Sequence, residues 1–265
     1  MIKLSNKEFD LFRDYVYQEC GINLTPVKRN LLEGRLQKRL LNLNLKSFSE
    51  YYTLLNSKKK DSELINMIDA VSTNKTDFFR ENTHFEFLKS AIQANNSLRN
   101  KTLNIWSAAC STGEEPYTTA MVLQEAIDQS ILKDYNITAT DISTKALKHC
   151  ANAVYSIERI ADIPQHLRKK YLLKSNDASK NIVRINALLR NKVHLHRLNL
   201  MTGDYTWLVN EPQDFIFCRN VLIYFDKSTQ KAVVQRLVNC LKPQGYLFIG
   251  HSESLFGMDL KLKQI

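Results

Sequence analysis

One strand–turn–helix passage near the middle of this 265-residue chain constrains its fold more than any other feature. Leu103-Asn104-Ile105 reads as a buried strand, and Thr118 to Ile127 reads as a helix. Between them lies the turn Trp106-Ser107-Ala108-Ala109-Cys110-Ser111-Thr112-Gly113-Glu114-Glu115-Pro116-Tyr117. A strand feeding a turn and then a helix N-terminus is where α/β proteins hold nucleotide-like ligands, because the first free amides of the helix point at the ligand. Gly113 is the only glycine in the turn, so the three-glycine dinucleotide fingerprint is absent. The alanines and serine leave room above the backbone, and the paired glutamates offer acceptors for amines or hydroxyls. This chemistry suits an adenosyl ligand with a cationic sulfonium and an amino acid tail better than a pyrophosphate.

The pattern on either side of this passage differs. Residues 1 to about 90 look all-helical. Phe9, Phe12, Val16 and Tyr17 recur at helical spacing, with Gly21 as a stop. Pro26 opens a second helix through Leu43, in which Leu32, Leu36, Leu40 and Leu43 make an apolar stripe. Lys28, Arg35 and Arg39 line up beside that stripe with Lys38 adjacent, either as a solvated flank or as a docking face for an acidic helix. Phe48 to Leu55 and Glu63 to Val71 read as two further helices, separated by a solvated loop around Lys58-Lys59-Lys60. From about residue 103, strands and helices alternate. Leu103–Ser107, Ile137–Thr140, Phe215–Cys218 and Tyr246–Gly250 are the strand candidates, which predicts a parallel sheet covered on both faces. Ile182–Ile185 and Val193–Leu198 break that rhythm and alternate like exposed antiparallel strands, so residues 168–192 are read as a small β insert.

Charge and cysteine usage narrow the class. The net charge of +10 is concentrated: residues 28–46 hold six basic residues and one acidic, and residues 168–197 hold nine and one. Concentrated basicity implies an acidic partner, whether nucleic acid, membrane surface or protein. Five scattered cysteines with no CxxC pair read as reduced thiols of a cytoplasmic protein and give no metal site. No apolar run is long enough to span a bilayer, and the N-terminus lacks a signal-peptide core. Asp141 ends the strand after the Gly113 turn, where a carboxylate can accept ribose hydroxyls, while Ser143 can cap the following helix.

Four blocks then act together. Ser72-Thr73-Asn74-Lys75-Thr76-Asp77-Phe78-Phe79-Arg80-Glu81, the Trp106–Tyr117 turn, Phe217-Cys218-Arg219-Asn220-Val221-Leu222-Ile223-Tyr224-Phe225 and Gly250-His251-Ser252-Glu253-Ser254 closely resemble the signature blocks of the CheR-type chemotaxis receptor methyltransferases. The resemblance is collinear over nearly the whole chain. It implies a helical N-terminal domain (residues 1–80) and a class I, Rossmann-like S-adenosylmethionine-dependent methyltransferase domain (81–265) carrying the antiparallel β insert. It also implies methyl transfer from S-adenosylmethionine to receptor glutamates, with S-adenosylhomocysteine as by-product and no metal.

Carried onto matching positions, Asn74, Thr76 and Arg80 contact the cofactor from the helical side. Ala109, Gly113, Glu115 and Asp141 hold it from the α/β side, with Asn199, Leu200, Arg219 and Asn220 flanking the adenine and methionine portions. Arg80 and Tyr224 lie nearest the reacting methyl group. Lys28, Arg35, Lys38 and Arg39 match the family's receptor-facing helix, the partner being the acidic methylation helices of a chemotaxis receptor. A monomer without membrane insertion or nucleic-acid binding is implied.

Two rivals come from other classes. A nucleic-acid methyltransferase would use the basic regions as phosphate contacts, but Cys218-Arg219-Asn220-Val221 stands where amino-methylating members carry Asn/Asp-Pro-Pro-Tyr/Phe. A non-catalytic S-adenosylmethionine-binding docking protein would not need Arg80 and Tyr224. Two departures from the family stand out. The loop Leu173–Asn181 has no glycine, whereas members that tether a receptor's C-terminal peptide tend to have glycines there. The sequence stops at Lys263-Gln264-Ile265, before or at the start of the family's final antiparallel strand, so an exposed sheet edge and lowered stability are expected.

Overall fold

Ser5 starts the first helix, α1 (Asn6–Cys20), with a reciprocal cap. Its hydroxyl accepts from the Glu8 amide at 3.2 Å, and the Glu8 carboxylate accepts from the Ser5 amide at 2.9 Å. Gly21 ends α1 in the left-handed region at φ 73°. The structure, a computed structural model, describes residues 2–57, 60–99, 101–177, 179–260 and 262–265. Lys58 and Lys59 of the lysine run lie outside the described residues, as does Ala178 of the glycine-free loop. Pro26–Lys28 form a 3-10 turn that leads into α2 (Arg29–Asn42), so the second helix opens more tightly than its proline alone suggests. Leu32, Leu36 and Leu40 are buried, and Leu43 is half-buried at the helix end. With α3 (Phe48–Leu55) and α4 (Lys60–Val71) they close a separate core around Phe12, Phe48, Tyr51 and Met67.

That core contains a charge. Arg39 donates to the Glu63 carboxylate from Nε (2.9 Å) and Nη2 (2.6 Å), and the Tyr51 hydroxyl donates to the same carboxylate at 2.7 Å. Burial pushes Glu63 up, but the bonds from Arg39, Tyr51 and Asn66 outweigh it and leave the carboxyl below its ordinary value. A carboxylate depressed in the folded state stabilises above its unfolded pKa of about 4.3, and that contribution is lost as pH falls through the folded value. Glu63→Ala strands Arg39 and is expected to cost about 3–5 kcal/mol at neutral pH. The difference from wild type should shrink below about pH 4, which urea denaturation at several pH values checks.

After α5 (Thr83–Ala94) the chain builds the sheet. It runs β1 (Thr102–Ser107), α6 (Glu114–Asp128), β2 (Asp134–Asp141), α7 (Thr144–Asn152), β3 (Val154–Ser156), α8 (Gln165–Tyr171), β4 (Leu172–Lys174), β5 (Ile182–Ile185), α9 (Ala187–Arg190), β6 (Val193–Arg197), α10 (Thr206–Asn210), β7 (Gln213–Cys218), α11 (Lys227–Asn239) and β8 (Leu241–Ile249). The large sheet has order β6-β2-β1-β7-β8 and every pairing is parallel. Alternation along the central strands explains why both faces are covered. Leu103, Ile105, Phe215 and Phe217 pack with Phe85 and Leu88 of α5 and Tyr117 and Met121 of α6. Trp106 and Ile216 pack on the opposite face with Leu208, Val233 and Leu237. The strand order reverses direction between β1 and β7, which opens a crevice beyond their carboxyl ends.

Ile182–Ile185 is the centre of a separate antiparallel sheet of order β3-β5-β4. Its third strand, Val154–Ser156, comes from ahead of residue 168 and is too short to show alternation. The reading of Val193–Leu198 as antiparallel is corrected: β6 pairs parallel with β2, Val193 opposite Ile137 and Arg197 opposite Asp141. It alternates because it is the margin of the main sheet, with His194 and His196 exposed, and alternation carries no direction. At the other margin β8 pairs only with β7 among the described residues.

Candidate functional site

A cleft enclosing about 980 Å³, open to solvent, lies in that crevice. Its floor is the turn after β1. The Ala108 amide donates to the Phe217 carbonyl at 2.8 Å, and the Cys110 amide to the Thr140 carbonyl at 2.9 Å, so the turn is stitched to both neighbouring strands. Ser111 adopts φ 50° and donates its amide to Asp141 Oδ2 at 2.8 Å, while Asp141 Oδ1 accepts from the Ser143 amide at 2.8 Å. Ser143 caps α7 through the Ala146 amide at 3.1 Å. Burial pushes the Asp141 carboxyl up against the opposing pull of these amides. The Asp141 carboxylate lines the cleft. Beside it the Ser111 hydroxyl lines the cleft, buried and without a hydrogen-bond partner among the described residues. A buried orphan hydroxyl next to a fixed carboxylate suits a polar ligand such as a ribose.

Glu115, in the first turn of α6, accepts from the Ser107 hydroxyl at 2.7 Å and from Arg219 Nη1 at 3.0 Å. Arg219 follows β7 with its side chain 2% exposed. It also donates to Glu81 at 3.2 Å and to the Arg80 carbonyl, and its guanidinium lies 5.4 Å over the Phe85 ring. Asn220 sits at φ 57° and donates Nδ2 to Glu81 at 3.1 Å. The amides of Asn220, Ile223 and Gly250 converge on the Glu253 carboxylate at 2.9, 3.3 and 2.6 Å. Glu81 and Glu253 thereby shape the loop that presents Arg219 to Tyr224. Both fall inside the recognised blocks, but a carboxylate that binds amides across the fold has no spacing signature.

The strap of residues 72–80 forms the opposite wall. Asn74, Thr76 and Arg80 line the cleft from it. Arg159, which sequence reasoning missed, clamps this strap: it donates to the Thr76 carbonyl at 2.7 Å, Asp77 at 3.2 Å and Glu114 at 2.5 Å. It comes from the turn after β3, outside every block. Arg80 is half-buried and spends one bond, at 2.9 Å, on the Lys75 carbonyl. Tyr224 lines the cleft, its carbonyl accepts from the Asn23 amide at 2.7 Å, and the Lys28 ammonium stands 5.5 Å over its ring. Leu200 is a buried apolar wall. Asn199 lines the cleft too, but its amide is committed to the Glu19 carbonyl (2.7 Å) and the Met201 amide (3.0 Å).

The cofactor and catalytic positions named above line one cleft, with one exception. Gly113 does not line it. It precedes α6 at φ 104°, and a Cβ there would stand 2.6 Å from Cys150 Sγ and 2.7 Å from the Tyr155 hydroxyl. Packing and backbone are enough to require a glycine there. Gly113→Ala is expected to lose at least about 1–3 kcal/mol, read by urea denaturation.

The four basic residues of the second helix separate. Arg39 is consumed by Glu63, and Arg35 braces the strap through the Val71 and Ser72 carbonyls and the Thr73 hydroxyl. Lys38 is exposed without an ion-pair partner among the described residues, and Lys28 stands by Tyr224. The second basic region is partly neutralised: Lys170 pairs with Glu125 and Asp128, each at 2.6 Å, and Lys192 with Asp134 at 2.5 Å.

Two family models match the chain in succession. The all-alpha domain of CheR methyltransferases matches residues 7–72, and their S-adenosylmethionine-binding domain matches residues 74–265. Curated relatives are similar over almost the full length. A chemotaxis protein methyltransferase of Borreliella burgdorferi is 38% identical over 97% of this chain and 91% of its own. Chemotaxis protein methyltransferase 2 of Pseudomonas aeruginosa is 39% identical over 94% and 87%, and the Escherichia coli chemotaxis protein methyltransferase 37% over 96% and 85%. Among the described residues no helix is long and apolar enough to cross a membrane.

Proposed function

The chain belongs to the CheR methyltransferase family, and from that premise we propose that it methylates glutamate side chains of chemotaxis receptors, giving glutamyl methyl esters and S-adenosylhomocysteine. The observation that carries this reading is the joining of Arg80, Tyr224, Glu115, Arg219 and Asp141 around one cleft with an unsatisfied Ser111 hydroxyl. S-adenosylmethionine supplies an electrophilic methyl on a sulfonium. Asp141 and Ser111 would hold the ribose hydroxyls. The Glu115–Arg219 pair would meet the amino acid tail, whose ammonium and carboxylate complement one charge each. Ala108 and Ala109 keep the floor low enough for the ligand to lie against the turn.

The acceptor needs no base. A glutamate carboxylate has a pKa of about 4.3 and is already ionised at neutral pH. The uncommitted N–H groups of Arg80 can orient the carboxylate, and the Tyr224 hydroxyl can fix its second oxygen. Rate enhancement then comes from holding carboxylate, methyl and sulfur in line. Lys28 and Lys38 supply the positive face for an acidic receptor segment, with Arg35 and Arg39 supporting the helix that carries them. Five buried, unpaired thiols suit a reducing, cytoplasmic setting.

Competition between acceptor classes tests the reading. Methyl-labelled S-adenosylmethionine is mixed with the protein, receptor-containing membranes and nucleic acid together. Label is expected on the receptor band. Label in the nucleic acid would instead support the rival that uses the basic regions as phosphate contacts.

A further inference from the structure

Outside the cleft, behind the Arg219 guanidinium, three metal-ligating side chains meet. Glu81 and His84 straddle the start of α5 at i,i+3 spacing, and His251 comes from the turn after β8. Their donor atoms all lie within 4.8 Å of one another. Glu81 Oε2 is 3.6 Å from His84 Nδ1. Two ligands on a tetrahedral zinc, each at about 2.0–2.1 Å, stand roughly 3.3–3.4 Å apart, so this pair is close to chelating distance. His84 and His251 face each other with ring centroids 5.1 Å apart at 78°. His84 Nδ1 is buried and has no hydrogen-bond partner among the described residues.

We propose that Glu81, His84 and His251 bind one divalent transition-metal ion of the zinc class, in a site separate from the methyl-transfer cleft. Two imidazoles and a carboxylate favour zinc, copper or nickel over magnesium or calcium. Glu81 is oriented by Asn220, which donates to its other oxygen at 3.1 Å, the kind of outer support that metal ligands have. His251 is exposed, with Nε2 3.4 Å from the Thr83 hydroxyl, and three protein ligands leave a fourth position for water. The Arg219 cation opposes a second cation, but Arg219 is shared between Glu115 and Glu81, so the three side chains together carry one net negative charge before the metal arrives.

Occupancy has a consequence for the cleft. A metal on Glu81 Oε2 takes that oxygen from Arg219, whose other end holds Glu115. Metal and cofactor are therefore expected to weaken each other's binding by one common factor. Only this coupling rests on the proposed cofactor site; metal binding by itself does not.

The test is calorimetric titration of zinc chloride into the intact, chelator-treated protein. One equivalent per chain is expected, with affinity lowered at least about tenfold in His251→Ala and in His251→Asn. His251 is exposed, so both variants should keep the fold, and His196→Ala, at the exposed edge beside Trp207, should bind as wild type. Cobalt substitution should give a spectrum without thiolate charge transfer. Failure to saturate, a His251→Ala affinity equal to wild type, or a thiolate band would each overturn the proposal and leave the histidine pair as packing. If zinc binds but S-adenosylhomocysteine affinity is unmoved, the site stands and the coupling is overturned.

Discussion

Arg219→Ala is expected to abolish cofactor binding and to destabilise the protein by about 3–5 kcal/mol at neutral pH. The guanidinium is nearly inaccessible and joins two carboxylates that come from α6 and from the strap before α5. Its removal leaves Glu115 with one hydroxyl donor, from Ser107, and Glu81 with the Asn220 amide as its remaining side-chain bond at close range. Glu81, held below its ordinary value by Asn220 and Arg219 against the opposing push of burial, would lose the Arg219 share of that support. A depressed carboxyl stabilises where the unfolded state is ionised, so the deficit should be largest at neutral pH and shrink as pH falls toward about 4.3. Arg219→Lys should not restore binding, since a point ammonium cannot span Glu115, Glu81 and the Arg80 carbonyl in one plane. Urea denaturation at several pH values, with S-adenosylhomocysteine titration by calorimetry, separates the two losses. Unchanged cofactor affinity in Arg219→Ala would contradict the role given to the Glu115 pair.

Arg80→Ala is expected to act on rate without acting on the fold. Its guanidinium contributes one hydrogen bond, to the Lys75 carbonyl five residues away, and the side chain is only half-buried. Stability should therefore change by less than about 1 kcal/mol. If Arg80 holds the acceptor carboxylate in line, turnover should fall at least about 10²–10³-fold, the usual loss for one preorganised donor. S-adenosylhomocysteine affinity should fall far less than turnover. Single-turnover methylation beside calorimetry reads both. Equal losses in affinity and rate would move Arg80 from the acceptor to the cofactor.

What the sequence made legible was local. The strand–turn–helix passage, the Ser143 cap, the Gly21 stop and the leucine stripe each depend on neighbours within one or two turns, and each appears where the residues place it. Direction and distant pairing were not legible. Val193–Arg197 alternates because it is an edge, a property shared by parallel and antiparallel strands. Gly113 looked like a ligand glycine because the family turn carries one, but Cys150 and Tyr155, far along the chain, are what exclude a side chain there. Arg39 looked like part of a receptor-facing row until Glu63, on another helix, was found to take its charge. Glu81, Arg159 and Glu253 bond to side-chain and backbone groups remote in sequence, and no period in a single chain signals such bonds.

The chemical nature of the product bond tests the central claim most directly. After incubation with methyl-labelled S-adenosylmethionine, labelled receptor is digested and the modified residue identified, with a parallel sample exposed to mild base. The account predicts label on glutamate, released by base as methanol, and labelling at least about 10²–10³-fold slower with Arg80→Ala. Base-stable label, or label on another residue type, would contradict carboxyl methylation by this cleft.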